Sequence, residues 1–239
     1  MNIHYVPIGD TCLSIEFPNE ISPEVNAMIR TMAKVLNDVD EIQEIVPTYR
    51  TILVQYDALR ISYGEMVAKL KELEQSALTG SSEEARIIKI PTVYGGEYGE
   101  DLGNVCEHNK LSEEEVISIH SSTDYLLYML GFTPGFPYLG GMSEKIATPR
   151  LKSPRTAIPA GSVGIAGSQT GIYPIQSPGG WQLIGRTPLR LYDPHSDQPF
   201  LLQAGDYLRF VPISEERFKE IEKEVADGSY RPEIEVKNA

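Results

Sequence analysis

Between Gly131 and Pro188, glycine or proline interrupts the chain so often that no long helix can form there. Eleven of the 20 glycines and eight of the 17 prolines fall in this stretch, and the longest run free of both is Met142 to Thr148. Proline fixes φ and deletes a backbone donor, whereas glycine opens positive φ. A chain punctuated in this way folds into short strands joined by turns, the pattern of a sandwich or barrel. The apolar runs YLLYMLGF, AIPAGSVGIAG, GIYPIQS, GWQLIG, LRLYD and DYLRFVPI are the predicted strands.

The first third reads differently. Ile3 to Phe17 predicts two short strands around a turn at Gly9-Asp10. Ser22-Pro23 is an N-cap followed by proline at the first helical position. Val25, Met28, Ile29, Met32, Ala33 and Leu36 then recur at the spacing of one helix face. Ile42 to Tyr56 predicts two more strands, and Ser62 with Glu65 is a capping box that opens a second helix. The order β-β-α-β-β-α predicts an α/β open-faced sandwich over residues 1–80. The small and polar segment 76–84 is the expected linker. Beyond it, residues 85–239 are expected to hold a strand at Ala85 to Tyr94, a short helix at Asp101 to His108 and a capped helix from Ser112 to His120. The short strands follow, then a helix from Ser214 and a loosely attached tail from Gly228. The class is α+β.

Charge narrows the partners. Thirty-four acidic residues against 21 basic ones leave a net charge of -13, which argues against nucleic acid and anionic membrane surfaces. No apolar run approaches membrane-spanning length, and MNIHYVPIGD lacks the features of a secretory signal. Cys12 and Cys106, far apart and without a repeating framework, are expected to be reduced thiols in a cytoplasmic protein. Cys106-x-His108 lacks the second pair that a zinc site needs, so no metal is expected. No phosphate-binding or dinucleotide fingerprint is present, and no cofactor is expected on this chain.

Three clusters can carry chemistry. In the first, GFTPGFPYLGG, Phe132 and Phe136 flank Pro134 and read either as exposed aromatics or as rings packed inside a tight connection, on a loop longer than a plain turn requires. The second holds Arg150, Arg155 and Gly161. A guanidinium on a proline-rich loop suits a carboxylate, although either arginine can equally pair with this acidic chain's own side chains. The third offers Gln169, Tyr173, Gln176, Pro178 and Trp181, a mixture of apolar walls and a few polar groups such as binds small molecules or peptides. Trp181 reads equally as buried support. His120, at the end of a helix, is either a general base or a residue that complements the helix dipole.

GFTPGFPYLGGM, SPRTAIPAGSVGIAG and QTGIYPIQSPGGWQLIGRTPLRLYDP together resemble the family that comprises the B subunits of 5-oxoprolinase, KipI-type sporulation kinase inhibitors and allophanate hydrolase subunit 1. The likeness runs from Ile8-Gly9-Asp10 to about Ser214. It implies an α/β N-terminal domain followed by a cyclophilin-like β-barrel, although that fold does not make the chain a prolyl isomerase. It implies work beside the A and C subunits of 5-oxoprolinase, with ATP used by the complex, in cleaving 5-oxo-L-proline to L-glutamate. The alternatives it carries are inhibition of a sensor histidine kinase by protein binding and a part in allophanate hydrolysis, with larger carboxyltransferase enzymes of urea breakdown carrying similar domains. On the first reading His120, Arg155 and Gln176 are the catalytic candidates. Phe132, Pro134, Phe136, Arg150, Gly161, Gln169, Tyr173, Pro178 and Trp181 are then the substrate-binding ones.

Overall fold

Ser22 accepts a hydrogen bond from the Val25 amide at 3.3 Å and so caps the first helix of the computed structural model, which describes residues 3–77 and 85–237, side chains of 75–77 excepted. The chain divides into two compact units, Met1–Glu83 and Glu84–Ala239.

The first unit pairs β1 (His4–Ile8) with β2 (Cys12–Glu16) across a turn in which Gly9 takes φ +68°. Helix α1 (Pro23–Leu36) follows, then β3 (Ile42–Pro47), β4 (Thr51–Tyr56) and helix α2 (Tyr63–Ala77). The sheet is antiparallel in the order β1-β2-β4-β3. Burial alternates along β4, where Ile52, Val54 and Tyr56 point into the core. They meet Leu13 and Ile15 of β2, Val25, Ile29, Met32 and Leu36 of α1, and Met66 and Leu70 of α2. Both helices therefore cover one sheet face, as expected. Each fully buried Leu, Ile or Met side chain contributes about 1.5–3 kcal/mol. The capping box forms: the Ser62 amide donates to Glu65 Oε2 at 2.9 Å. Residues 76 and 77 of the expected linker are the last turn of α2, and 78–84 lie outside the described residues.

The second unit is built on β5 (Ala85–Tyr94). After it come α3 (Leu102–Asn109), α4 (Glu113–Ser121), β6 (Tyr125–Leu130) and β7 (Pro137–Gly140). Four short strands follow as β8 (Arg155–Ile158), β9 (Ser162–Ala166), β10 (Gln169–Ile172) and β11 (Ser177–Gly179). The unit continues with β12 (Gln182–Arg186), β13 (Tyr207–Pro212), α5 (Glu215–Ala226) and β14 (Ile234–Lys237). The main sheet runs β10-β9-β12-β5-β13-β6-β7, and its end strands β7 and β10 touch, so it curls almost into a barrel. β8 and β11 pair separately. β5 takes β13 in parallel along one edge. Its other edge is shared by β14 at the start and β12 at the end. The core joins Ile88 and Ile90 of β5 to Tyr125, Leu127, Ile165, Ile184 and Phe210.

Two expectations fail here. The tail is not loose, since β14 pairs with β5 from Ile234 against Ile88 to Lys237 against Ala85, and Lys89 holds both Glu233 and Glu235. The open edge of β5 supplies a ladder that the tail's own sequence does not announce. LRLYD is not a strand but an irregular segment with one bridge, Tyr192 to Phe200.

Candidate functional site

Four aromatic rings meet at Phe136, just before β7. Its ring lies edge-on to Tyr138 at 5.4 Å, Trp181 at 5.7 Å and Tyr173 at 5.9 Å between centroids. Ile158, Ala166 and Leu183 complete this cluster. Such pairings add about 0.5–1.5 kcal/mol each beyond burial. The cluster exists because the chain turns sharply at Gly131–Gly135: the Gly131 amide donates to the Phe136 carbonyl at 3.1 Å, and Gly135 takes φ +79°. Gly179 lets the Tyr173 hydroxyl approach β11 closely, since a Cβ there would sit 2.2 Å from the phenol oxygen.

The two phenylalanines divide between the two readings, one packed and one exposed. Phe136 is 4% exposed, whereas Phe132 is 74% exposed and sits at φ +62°, a conformation that non-glycine residues seldom adopt. The ring of Phe132 rests edge-on against Phe136 at 5.8 Å, forming the outer rim. Trp181 is buried support, and Arg150 lies above it with the guanidinium carbon 5.9 Å from the ring centroid. Arg150 is exposed and forms no ion pair with a described residue. Its loop is tied down by Leu151 N donating to Gly180 O at 2.7 Å and by Gln182 Nε2 donating to Pro149 O at 2.8 Å.

Arg155 is occupied. Its Nη2 donates to Asp101 Oδ1 at 2.8 Å, its Nε reaches Glu100 Oε1 at 2.9 Å, and Nη1 leans on the Trp181 carbonyl. Asp101 is itself buried and accepts the Leu183 amide at 2.7 Å. Arg155 therefore anchors β8 to α3 and β12, so it is not free to take a substrate carboxylate. Gln182 and Asn104, which sequence reasoning missed, belong to the same scaffold: Asn104 Nδ2 donates to Gln182 Oε1 at 3.2 Å. The signal was a polar residue alternating into the apolar run GWQLIG.

His120 lies inside the scaffold, away from the exposed rim. Its side chain is wholly buried among Tyr94, Tyr125 and Phe210. Both ring nitrogens are satisfied at 2.8 Å, Nδ1 by the Tyr94 hydroxyl and Nε2 by Thr170 Oγ1. A consistent chain runs from Tyr94 O–H to Nδ1, from Nε2–H to Thr170, and from Thr170 O–H to the Gly164 carbonyl. Burial pulls the imidazole pKa down to about 3 and pushes the Tyr94 phenol well above its usual range. The ring is thus neutral and does not complement the helix dipole.

Gln169 faces Ala166 across the β9–β10 hairpin, so its side chain shares the face of the aromatic cluster. Gln176 and Pro178 are exposed on and beside β11, and Pro134 is exposed on the Phe132 loop. Gly161 is buried at φ +80° beside Thr187, its amide donating to the Tyr173 carbonyl at 2.7 Å. The structure therefore brings together Phe132, Phe136, Arg150, Tyr173 and Trp181, with Gln169 at the margin. It leaves His120 and Arg155 inside the scaffold.

The family described as carboxyltransferase domain, subdomain C and D, matches residues 3–202. The 5-oxoprolinase B subunit of Bacillus subtilis (strain 168) is 44% identical over 229 residues, which is 91% of this chain and 95% of that protein. The 5-oxoprolinase B subunit of Escherichia coli O157:H7 is 44% identical over 211 residues, 87% of this chain and 95% of its own. Among solved structures, the K. lactis urea amidolyase superposes with a TM-score of 0.79 at 20% identity, covering 98% of this chain and 16% of that one. This last likeness establishes the fold alone.

Proposed function

This chain belongs to the carboxyltransferase-domain family, subdomain C and D, and on that footing we propose that it is the B subunit of an ATP-dependent 5-oxoprolinase. The observation that carries the reading is the 44% identity to the B subunit of a 5-oxoprolinase, which extends over nearly the whole of both chains. The reaction adds water across the lactam C–N bond of 5-oxo-L-proline and releases L-glutamate. A five-membered lactam is a stable amide, so coupling to ATP is chemically sensible. With no nucleotide fingerprint on this chain, ATP is handled by a partner, either the A or the C subunit.

The part assigned to this chain is to hold the substrate. Arg150 is the one cation set over the aromatic cluster without a carboxylate of its own among the described residues. It offers the planar fork that pairs with a carboxylate bidentately. Phe132 supplies exposed apolar surface for the ring, and Gln169, across the hairpin from Ala166, is assigned to the lactam amide. Reconstitution with the A and C subunits tests this. Glutamate release should require this chain, and Arg150→Ala should raise KM at least tenfold with a smaller change in kcat. Unchanged turnover without the chain would sink the reading.

A second reading is a binding module that blocks a sensor histidine kinase, and the observation in its favour is the exposure of Phe132. On that reading Phe132→Ser abolishes capture of the kinase, whereas Arg150→Ala does not.

A further inference from the structure

Most arginines of the second unit have carboxylate partners: Arg86 with Asp206, Arg155 with Asp101, Arg190 with Asp193, Arg209 with Asp124 and Arg217 with Glu220. Arg186, the last residue of β12, has none among the described residues. Its Nε is buried without a hydrogen-bond partner, and its guanidinium makes no ion pair with a described residue. A buried, unsatisfied donor on a cation is costly, and native structures seldom keep one without a use for it. In a chain of net charge -13, leaving this arginine unpaired is the more unusual.

Arg186 lines a groove of about 330 Å³, at the small end of the range for small-molecule sites. Gly161 lines the groove at an approach only glycine allows: a Cβ there would lie 2.3 Å from the Thr187 carbonyl, while Arg186 Cγ would be in ordinary contact at 3.5 Å. Pro159, Pro174 and Pro188 form rigid apolar walls, and Phe218 of α5 adds an aromatic one. Glu222, also on α5, lines the same groove and forms no ion pair with a described residue. Two opposite charges thus line one small groove of mixed polarity and do not pair with each other. Arg190 also lines it, but its charge is answered by Asp193 at 2.8 Å.

We propose that this groove is a binding site for a small α-amino or α-imino acid, with the ligand carboxylate on Arg186 and its N–H on Glu222. A molecule carrying both charges on one carbon would answer Arg186 and Glu222 together, and its apolar part would rest on the proline walls. The site is distinct from the Arg150 cluster and does not depend on the proposed activity, because it is read on this chain alone.

The experiment uses the full chain with methyl-labelled valine and leucine. Val225, on the groove wall, reports this site, while the indole N–H of Trp181, the only tryptophan, reports the aromatic cluster. The probes are L-proline, L-prolinamide, which lacks the carboxylate, and cyclopentanecarboxylate, which lacks the nitrogen. L-proline is expected to shift the Val225 methyls saturably, with prolinamide at least tenfold weaker. Arg186→Gln should weaken L-proline at least tenfold while the Trp181 resonance stays in place, showing that the fold is kept. Glu222→Gln should weaken L-proline but not cyclopentanecarboxylate. Ala226→Phe, which fills the groove from α5 without touching the charge, should abolish binding. No shift at Val225 in the unsubstituted chain, prolinamide binding as tightly as proline, or binding lost in Arg150→Gln but kept in Arg186→Gln would each overturn the proposal.

Discussion

A neutral histidine locked inside a barrel makes the fold acid-sensitive. In the unfolded chain the imidazole titrates near its usual value of about 6.5, and in the folded chain at about 3. Between those values the unfolded state binds the extra proton, so stability falls as pH drops through that window, by about 1.4 kcal/mol per pH unit. Above pH 6.5 this group adds no slope. His120→Gln, which keeps a donor and an acceptor but cannot titrate, should flatten the profile; urea midpoints at pH 7.0, 5.5 and 4.5 for both proteins check it. Arg155→Ala strands the buried Asp101 carboxylate. It should cost about 2–3 kcal/mol, below the figure for a fully buried pair because the arginine is partly exposed. Calorimetry should show that loss in the isolated chain. The residue types of the site could be read from the sequence, but their roles could not. What decided between Arg150 and Arg155 was Asp101, 54 positions away, and what buried His120 was Tyr94 and Thr170, 26 and 50 positions away.

Elements with an internal rhythm were legible in the sequence. The apolar face of α1, the alternation of β4 and the two Ser–Glu capping boxes are local patterns, and each formed where the spacing put it. β14 carried no such signal. Four residues with exposed or half-buried side chains say little alone, and the ladder they complete belongs to β5. LRLYD erred the other way, having strand composition but no neighbouring edge to pair with. Removing residues 232–239 should therefore expose half an edge of β5 and leave Lys89 without its two acids. The expected cost is about 1–2 kcal/mol, a fall in Tm of about 4 °C, together with faster amide exchange along the first half of β5. Gly161→Ala is the matching test in a turn: both glycines sit at positive φ, and the close Thr187 carbonyl should make it more destabilising than Gly228→Ala, where nothing lies within 4 Å.

At the level of the whole molecule, each unit has a core of its own. A protease site placed between residues 78 and 84 and then cut should leave both fragments with cooperative thermal transitions; collapse of either would show that its core is not self-sufficient. No helix among the described residues is long and apolar enough to cross a membrane. The two units differ in how they can be made. Every strand of the first finds its partner before the chain has passed Tyr56, so its sheet can close early in synthesis. β5 emerges soon afterwards, yet the strand that runs beside it in parallel, β13, begins only at Tyr207, and β14 lies further on still. Such distant pairing slows folding and leaves strand edges open in the interval. The ribosome therefore presents β5 with only its last residues able to meet β12 until β13 is made, roughly half the chain later, and that interval is when a chaperone should matter most to this protein.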